Sequence, residues 1–123
     1  MRLDAIIVGG GVAGLTAALY LGRFCRDVML FDTGKQANRV SHAAHGFLTR
    51  DGTSPVELIN IGREQLARYE TVRIQSDEII AITPSENGFI VTVDQMTSFA
   101  TRKVLLATGL KDGLPPISGI ELF

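Results

Sequence analysis

The chain has 123 residues, 20% of them charged and 46% hydrophobic, with a net charge of −1 at pH 7. That length predicts one domain with a real core, small for a complete enzyme that binds two dinucleotides. Acidic and basic residues are mixed along the chain, which disfavours nucleic acid as a partner, and a single cysteine excludes an internal disulfide, a C-x-x-C pair or a thiolate metal site within it.

Residues 3–8 form an apolar run that predicts a buried strand, and residues 12–24 an alanine- and leucine-rich run that predicts a helix. Between them lies Gly9-Gly10-Gly11-Val12-Ala13-Gly14, which fits G-x-G-x-x-G. The first glycine permits the tight turn, the second lets a pyrophosphate approach the backbone, and the third brings helix close to strand. The helix start offers unpaired N–H groups and a positive dipole end to that anion. A second strand over residues 27–32 ends at Asp32, about 20 residues after the motif, where a ribose-binding acid is expected. Residues 5–22 carry no charge, yet glycines interrupt the run and Asp4 precedes it. A strand followed by a buried helix accounts for it without a signal peptide or a membrane span, and a cytoplasmic protein is expected. Cys25, where the first helix ends, reads as a small packing residue.

Residues 33–53 lack sustained periodicity and predict a long functional loop at the ligand edge of the sheet. Ser54-Pro55-Val56-Glu57 is a capping box with proline at the first helical position. The helix it opens is expected to run to about Tyr69, with Val56, Ile59, Leu66 and Tyr69 on one face. A third strand follows at residues 72–75. The pattern then changes to consecutive strands at 78–83, 88–93 and 98–102, separated by turns at Pro84-Ser85-Glu86-Asn87 and Asp94-Gln95-Met96. These predict an antiparallel three-stranded meander. Residues 103–107 return to an apolar strand that ends in Ala107-Thr108-Gly109, with a loop over 110–116 behind it.

The order of these pieces resembles the FAD domain of two-dinucleotide flavoproteins, most closely thioredoxin reductase and its relatives among the pyridine nucleotide-disulfide oxidoreductases. The resemblance rests on residues 6–18 around the glycine turn, on Leu30-Phe31-Asp32, on the meander, and on residues 104–109. It implies an α/β fold, a Rossmann-like FAD/NAD(P)-binding domain with a central parallel sheet and a three-stranded antiparallel β-meander. It also implies that residues 1–123 are the N-terminal part of that domain, incomplete relative to the family, with the NADPH domain and the closing C-terminal FAD segment absent.

By the same resemblance Gly9, Gly11, Val12, Ala13 and Gly14 face the FAD pyrophosphate, and Asp32 with Thr33 lies at the adenosine ribose. The stretch 35–39, with Lys35, Asn38 and Arg39, wraps the cofactor, and Asp77-Glu78-Ile79 meets the adenine. Ala107, Thr108 and Gly109 re-enter the sheet beside FAD. Asn38-Arg39 replaces the glycine-glutamine of standard thioredoxin reductases, which leaves the acceptor open. His45 is read either as a flavin-side contact or as an ordinary loop histidine. His42 and His45 have no further ligand to complete a metal site. Ser41, His42 and Asp51 share one loop, but no G-x-S-x-G elbow precedes a serine, so no catalytic triad is assigned.

The implied parent is an oxidoreductase that passes electrons from NADPH or NADH through FAD to a disulfide or small-molecule acceptor, and association as a homodimer stays open. Two other readings remain beside it. One is a nucleotide-binding module without turnover. The other is the FAD segment of a flavin monooxygenase or of a ferredoxin reductase-like enzyme.

Overall fold

Six strands join in one mixed sheet in the computed structural model, which describes residues 2–35, 41–111 and 113–122. In chain order the elements are β1 (Arg2–Val8), α1 (Val12–Arg23), β2 (Val28–Phe31), α2 (Pro55–Leu66), β3 (Val72–Gln75), β4 (Ala81–Ser85), β5 (Gly88–Thr92) and β6 (Ser98–Leu106). The sheet order is β3-β2-β1-β6-β5-β4, with β3, β2, β1 and β6 parallel and the β6-β5-β4 side antiparallel. The predicted Rossmann-like parallel sheet and meander are both present. No helix among the described residues is long and apolar enough to cross a membrane.

The uncharged run splits as the glycines require, into β1 and α1. Along α1 the buried positions Gly14, Ala18 and Gly22 recur every four residues, a small-residue line that lets the helix axis approach the sheet. Leu15 and Ala18 pack with Ile7, Val28, Leu30 and Leu66 in a core on the helix side. α2 begins as predicted, with the Ser54 hydroxyl accepting the Glu57 N–H at 3.2 Å and Pro55 inside the first turn. It stops at Leu66, short of Tyr69, and Val56 is exposed, so the buried face runs through Pro55, Ile59 and Leu66.

A second core lies on the other face and joins Ile6, Met29 and Phe31 to Val91 of β5. The rings of Phe31 on β2 and Phe99 on β6 are 5.7 Å apart, although β1 runs between their strands. A flat sheet would hold them roughly 9.5 Å apart on strand spacing alone. β6 therefore bends, and its first half brings β5, through Val91, over the face opposite the helices. Within this strand Thr101 is buried, with its hydroxyl 3.0 Å from the Lys103 carbonyl and 3.4 Å from that of Leu3. Gly88 packs here so closely that a Cβ would overlap the Thr101 carbonyl oxygen.

Four expectations are corrected here. The third meander strand and the returning apolar strand are one continuous element, β6, because a bend rather than a turn separates their roles. Pro84 and Ser85 belong to β4, so the hairpin turn is Glu86-Asn87 alone; β4 is the outermost strand, where proline is tolerated. Residues 78–80 precede β4 instead of starting it. Cys25 is not a packing residue either. It is exposed at φ 56°, and the N–H groups of Cys25 and Arg26 bond the Gly22 and Leu21 carbonyls at 3.0 Å each. This pattern is the Schellman closure of a helix, with cysteine in the place usually held by glycine.

Candidate functional site

The four parallel strands end at one edge. Val8 is level with Phe31 and with Leu106, and Phe31 with Gln75. Three backbone bonds continue the pairing just past the strands: Gly9 N–H to Phe31 carbonyl at 2.8 Å, Asp32 N–H to Gln75 carbonyl at 2.9 Å, and Ala107 N–H to Val8 carbonyl at 2.8 Å. The chain leaves β1 toward β2 on one side, while β6 pairs on the other, so this edge is the topological switch point where open α/β sheets bind ligands.

The glycine turn is built by steric necessity. Gly9 has φ 114°, and a Cβ on it would overlap the Ala107 carbonyl, so the loop of Ala107, Thr108 and Gly109 can lie against the turn only because Gly9 is bare. A Cβ on Gly14 would overlap the Gly9 carbonyl oxygen, which gives the third glycine the helix-to-strand role expected of it. Gly11 is the N-cap of α1 and contributes no side-chain cap, and the first turn holds no acidic residue. The first bond within the helix runs from Leu15 N–H to the Gly11 carbonyl at 3.0 Å. The N–H groups of Val12, Ala13 and Gly14 precede it, and Val12 and Ala13 are exposed.

Asp32 is buried at this edge, its side chain only 5% exposed. Its Oδ1 accepts the Gly34 N–H at 2.9 Å, and Arg63 Nη1 donates to Oδ2 at 3.2 Å. A Cβ on Gly10 would overlap the Asp32 side chain. Sequence reasoning missed both neighbours: Gly10 stands at the variable position of the motif, and Arg63 lies 31 residues away on the polar side of α2. The run of three consecutive glycines was the only available signal for Gly10.

Thr33 and Lys35 are exposed beside Asp32, as are Thr108 and Gly109 beside the glycine turn. Glu78 is exposed, whereas Ile79 packs on the core formed by Ile6, Met29 and Phe31. Asn38 and Arg39 lie outside the described residues. His45 sits in the 41–53 loop with Nδ1 3.4 Å from Asp51 Oδ1, both side chains exposed, and Asp51 also accepts the Gly46 N–H at 2.7 Å. The loop carries Phe47 to a groove lined by Val12, Leu15 and Leu19 of α1 and by Leu58 and Leu66 of α2. Among the described residues no group of histidine, cysteine and acidic side chains could hold a metal ion.

The sequence profile of the family described as pyridine nucleotide-disulphide oxidoreductase matches residues 3–123. A thioredoxin reductase of Gibberella zeae is 34% identical over 131 residues, covering 97% of this chain and 38% of that protein. Thioredoxin reductase sirT of Leptosphaeria maculans is 35% identical over 119 residues, covering 94% of this chain and 36% of the relative. The crystal structure of an oxidoreductase from Agrobacterium tumefaciens superposes with a TM-score of 0.90 at 38% identity, over 99% of this chain and 41% of its own. The chain thus spans well under half the length of the proteins it matches.

Proposed function

This chain belongs to the pyridine nucleotide-disulphide oxidoreductase family, and on that footing we propose that it is the FAD-holding part of a flavoenzyme. The whole protein would pass electrons from NADPH or NADH through FAD to a disulfide or small-molecule acceptor. The observation that carries this reading is the glycine turn, where a Cβ at Gly9 or Gly14 would strike backbone at the switch point of the sheet. That cradle suits a pyrophosphate: bare backbone for close approach, helix N–H groups for the charge, and no acidic side chain in the first turn to repel it.

Bound FAD supplies the hydride and electron chemistry, and the protein supplies position. In this reading Gly9, Gly11, Val12, Ala13 and Gly14 bind the pyrophosphate, and Asp32 and Thr33 the adenosine ribose. Lys35, Asn38 and Arg39 wrap the cofactor, Glu78 and Ile79 meet the adenine, and Ala107, Thr108 and Gly109 close one side. His45 would lie on the flavin side. Cys25 stands at the other end of α1 from the cradle, a helix length of roughly 18 Å. The reading extends to residues 1–123 as the first part of the FAD domain, to NADPH as donor, to a cytoplasmic protein and to a homodimer, for all of which family resemblance is the support.

Purifying the intact protein tests it. A flavin absorbance band released by acid denaturation is expected, and Gly11→Val is expected to abolish FAD uptake with the fold retained. The backbone at Gly11, φ −75° and ψ −173°, is extended, a conformation valine adopts readily, so the branched side chain is expected to take the pyrophosphate space. An intact protein that is colourless and takes up no added FAD, or a Gly11→Val protein that titrates with FAD normally, overturns the assignment.

A further inference from the structure

Asp32 is a buried carboxylate held by groups from different parts of the chain. Its Oδ1 takes the Gly34 N–H from the loop that follows β2, and its Oδ2 takes the guanidinium of Arg63 from α2. Its side chain also fills the space beside Gly10. The carboxylate torsion of an aspartate is soft and roughly two-fold, so a single partner leaves the plane of the group free to swing. Partners on both oxygens hold it. Arg63, with its side chain 43% exposed, reaches from the surface of α2 to a carboxylate that is almost wholly covered.

We propose that Arg63 is a positioning residue of the nucleotide site, holding the Asp32 carboxylate in the orientation that receives the hydroxyl pair of an adenosine ribose. The proposal rests on the FAD reading given above. A vicinal diol offers two O–H donors with fixed separation, and a carboxylate accepts both only when its plane is turned toward them. Arg63 holds that plane through its bond to Oδ2. An ordinary surface ion pair would contribute little. This one has a buried member at the ligand edge of the sheet, and its loss would be read in the ligand as well as in the fold.

The test uses the intact protein, stripped of flavin and titrated with FAD, with ADP and with 2′,3′-dideoxy-ADP, which lacks the diol. Arg63→Met keeps an aliphatic side chain and removes the donors. The wild type is expected to prefer ADP over the dideoxy analogue. Arg63→Met is expected to weaken FAD and ADP by about tenfold, the scale of one hydrogen bond to a charged group. The dideoxy affinity should stay within about twofold, so the diol preference collapses. Arg63→Lys should restore part of it, and in an Asp32→Asn background Arg63→Met should change nothing further. If Arg63→Met fails to fold, Arg63→Gln is read by the same ratio. A variant that keeps the wild-type diol preference, or loses ADP and dideoxy-ADP equally, overturns the positioning role while the FAD reading stands. A wild type that binds none of the three overturns both.

Discussion

Gly10→Ala is a sharp test of how the nucleotide edge is assembled, because the motif treats this position as free and the structure does not. The new methyl group would overlap Cβ, Cγ and Oδ2 of Asp32. Turning the Asp32 side chain moves Cγ and Oδ2 but not its Cβ, which the backbone fixes, so the turn after β1 must shift away from the end of β2. That shift strains the Gly9 N–H bond to Phe31 and the Asp32 bonds to Gly34 and Arg63. Overpacking against a fixed neighbour costs about 1–3 kcal/mol, and weakening the charge-assisted Gly34 bond adds about 1–2 kcal/mol. Alanine returns about 0.5–1 kcal/mol by restricting the unfolded chain. The net is a loss of about 1–4.5 kcal/mol, which at a urea slope of about 2 kcal/mol/M moves the midpoint down by about 0.5–2 M. The assay is urea unfolding of the intact protein followed by far-UV circular dichroism. Gly10→Ala combined with Asp32→Gly, which removes all three colliding atoms, should cost less than the two single changes added together. A Gly10→Ala midpoint within about 0.25 M of wild type, about 0.5 kcal/mol on that slope, would refute the reasoning.

Two further outcomes are expected. Cys25→Gly should stabilise the protein by about 0.5–1 kcal/mol, since an exposed L-residue is held at positive φ in a helix closure made for glycine, and a lowered unfolding midpoint would count against this account. Asp4 has its carboxyl held below the usual 3.8, first by the Asp27 N–H and then by Arg102, with burial opposing. A depressed folded value contributes stability that is complete above pH 3.8 and lost as the pH falls through the lower value, so Asp4→Asn should flatten that stretch of the acid-unfolding curve; an unchanged curve would dismiss the role.

Much of the βαβ unit is legible in the sequence because its rules are local. Glycines at positions 9 and 14 must be bare for backbone to approach backbone, and the structure puts an oxygen where each Cβ would be. The capping box at Ser54 is equally local and begins α2 as expected. What escaped was set by distant partners. The charged pair Arg102-Lys103 interrupts the apolar pattern and reads as a strand boundary, yet Arg102 is anchored by Asp4 at 3.4 Å and the strand continues through it. Arg63 looks like one more polar helix residue until α2 docks and brings it to Asp32. Cys25 reads as a core residue by type, and only the closure geometry of α1 puts it outside.

The unbroken course of β6 has a mechanical corollary. One strand begins in the layer that covers Phe31 and leads into the loop laid against Gly9, paired with β5 and then β1 along the way. Amide protons of β5 and of the first half of β6 should therefore exchange more slowly when the distant nucleotide edge is filled, since fastening one end of a stiff lever damps fluctuation at the other.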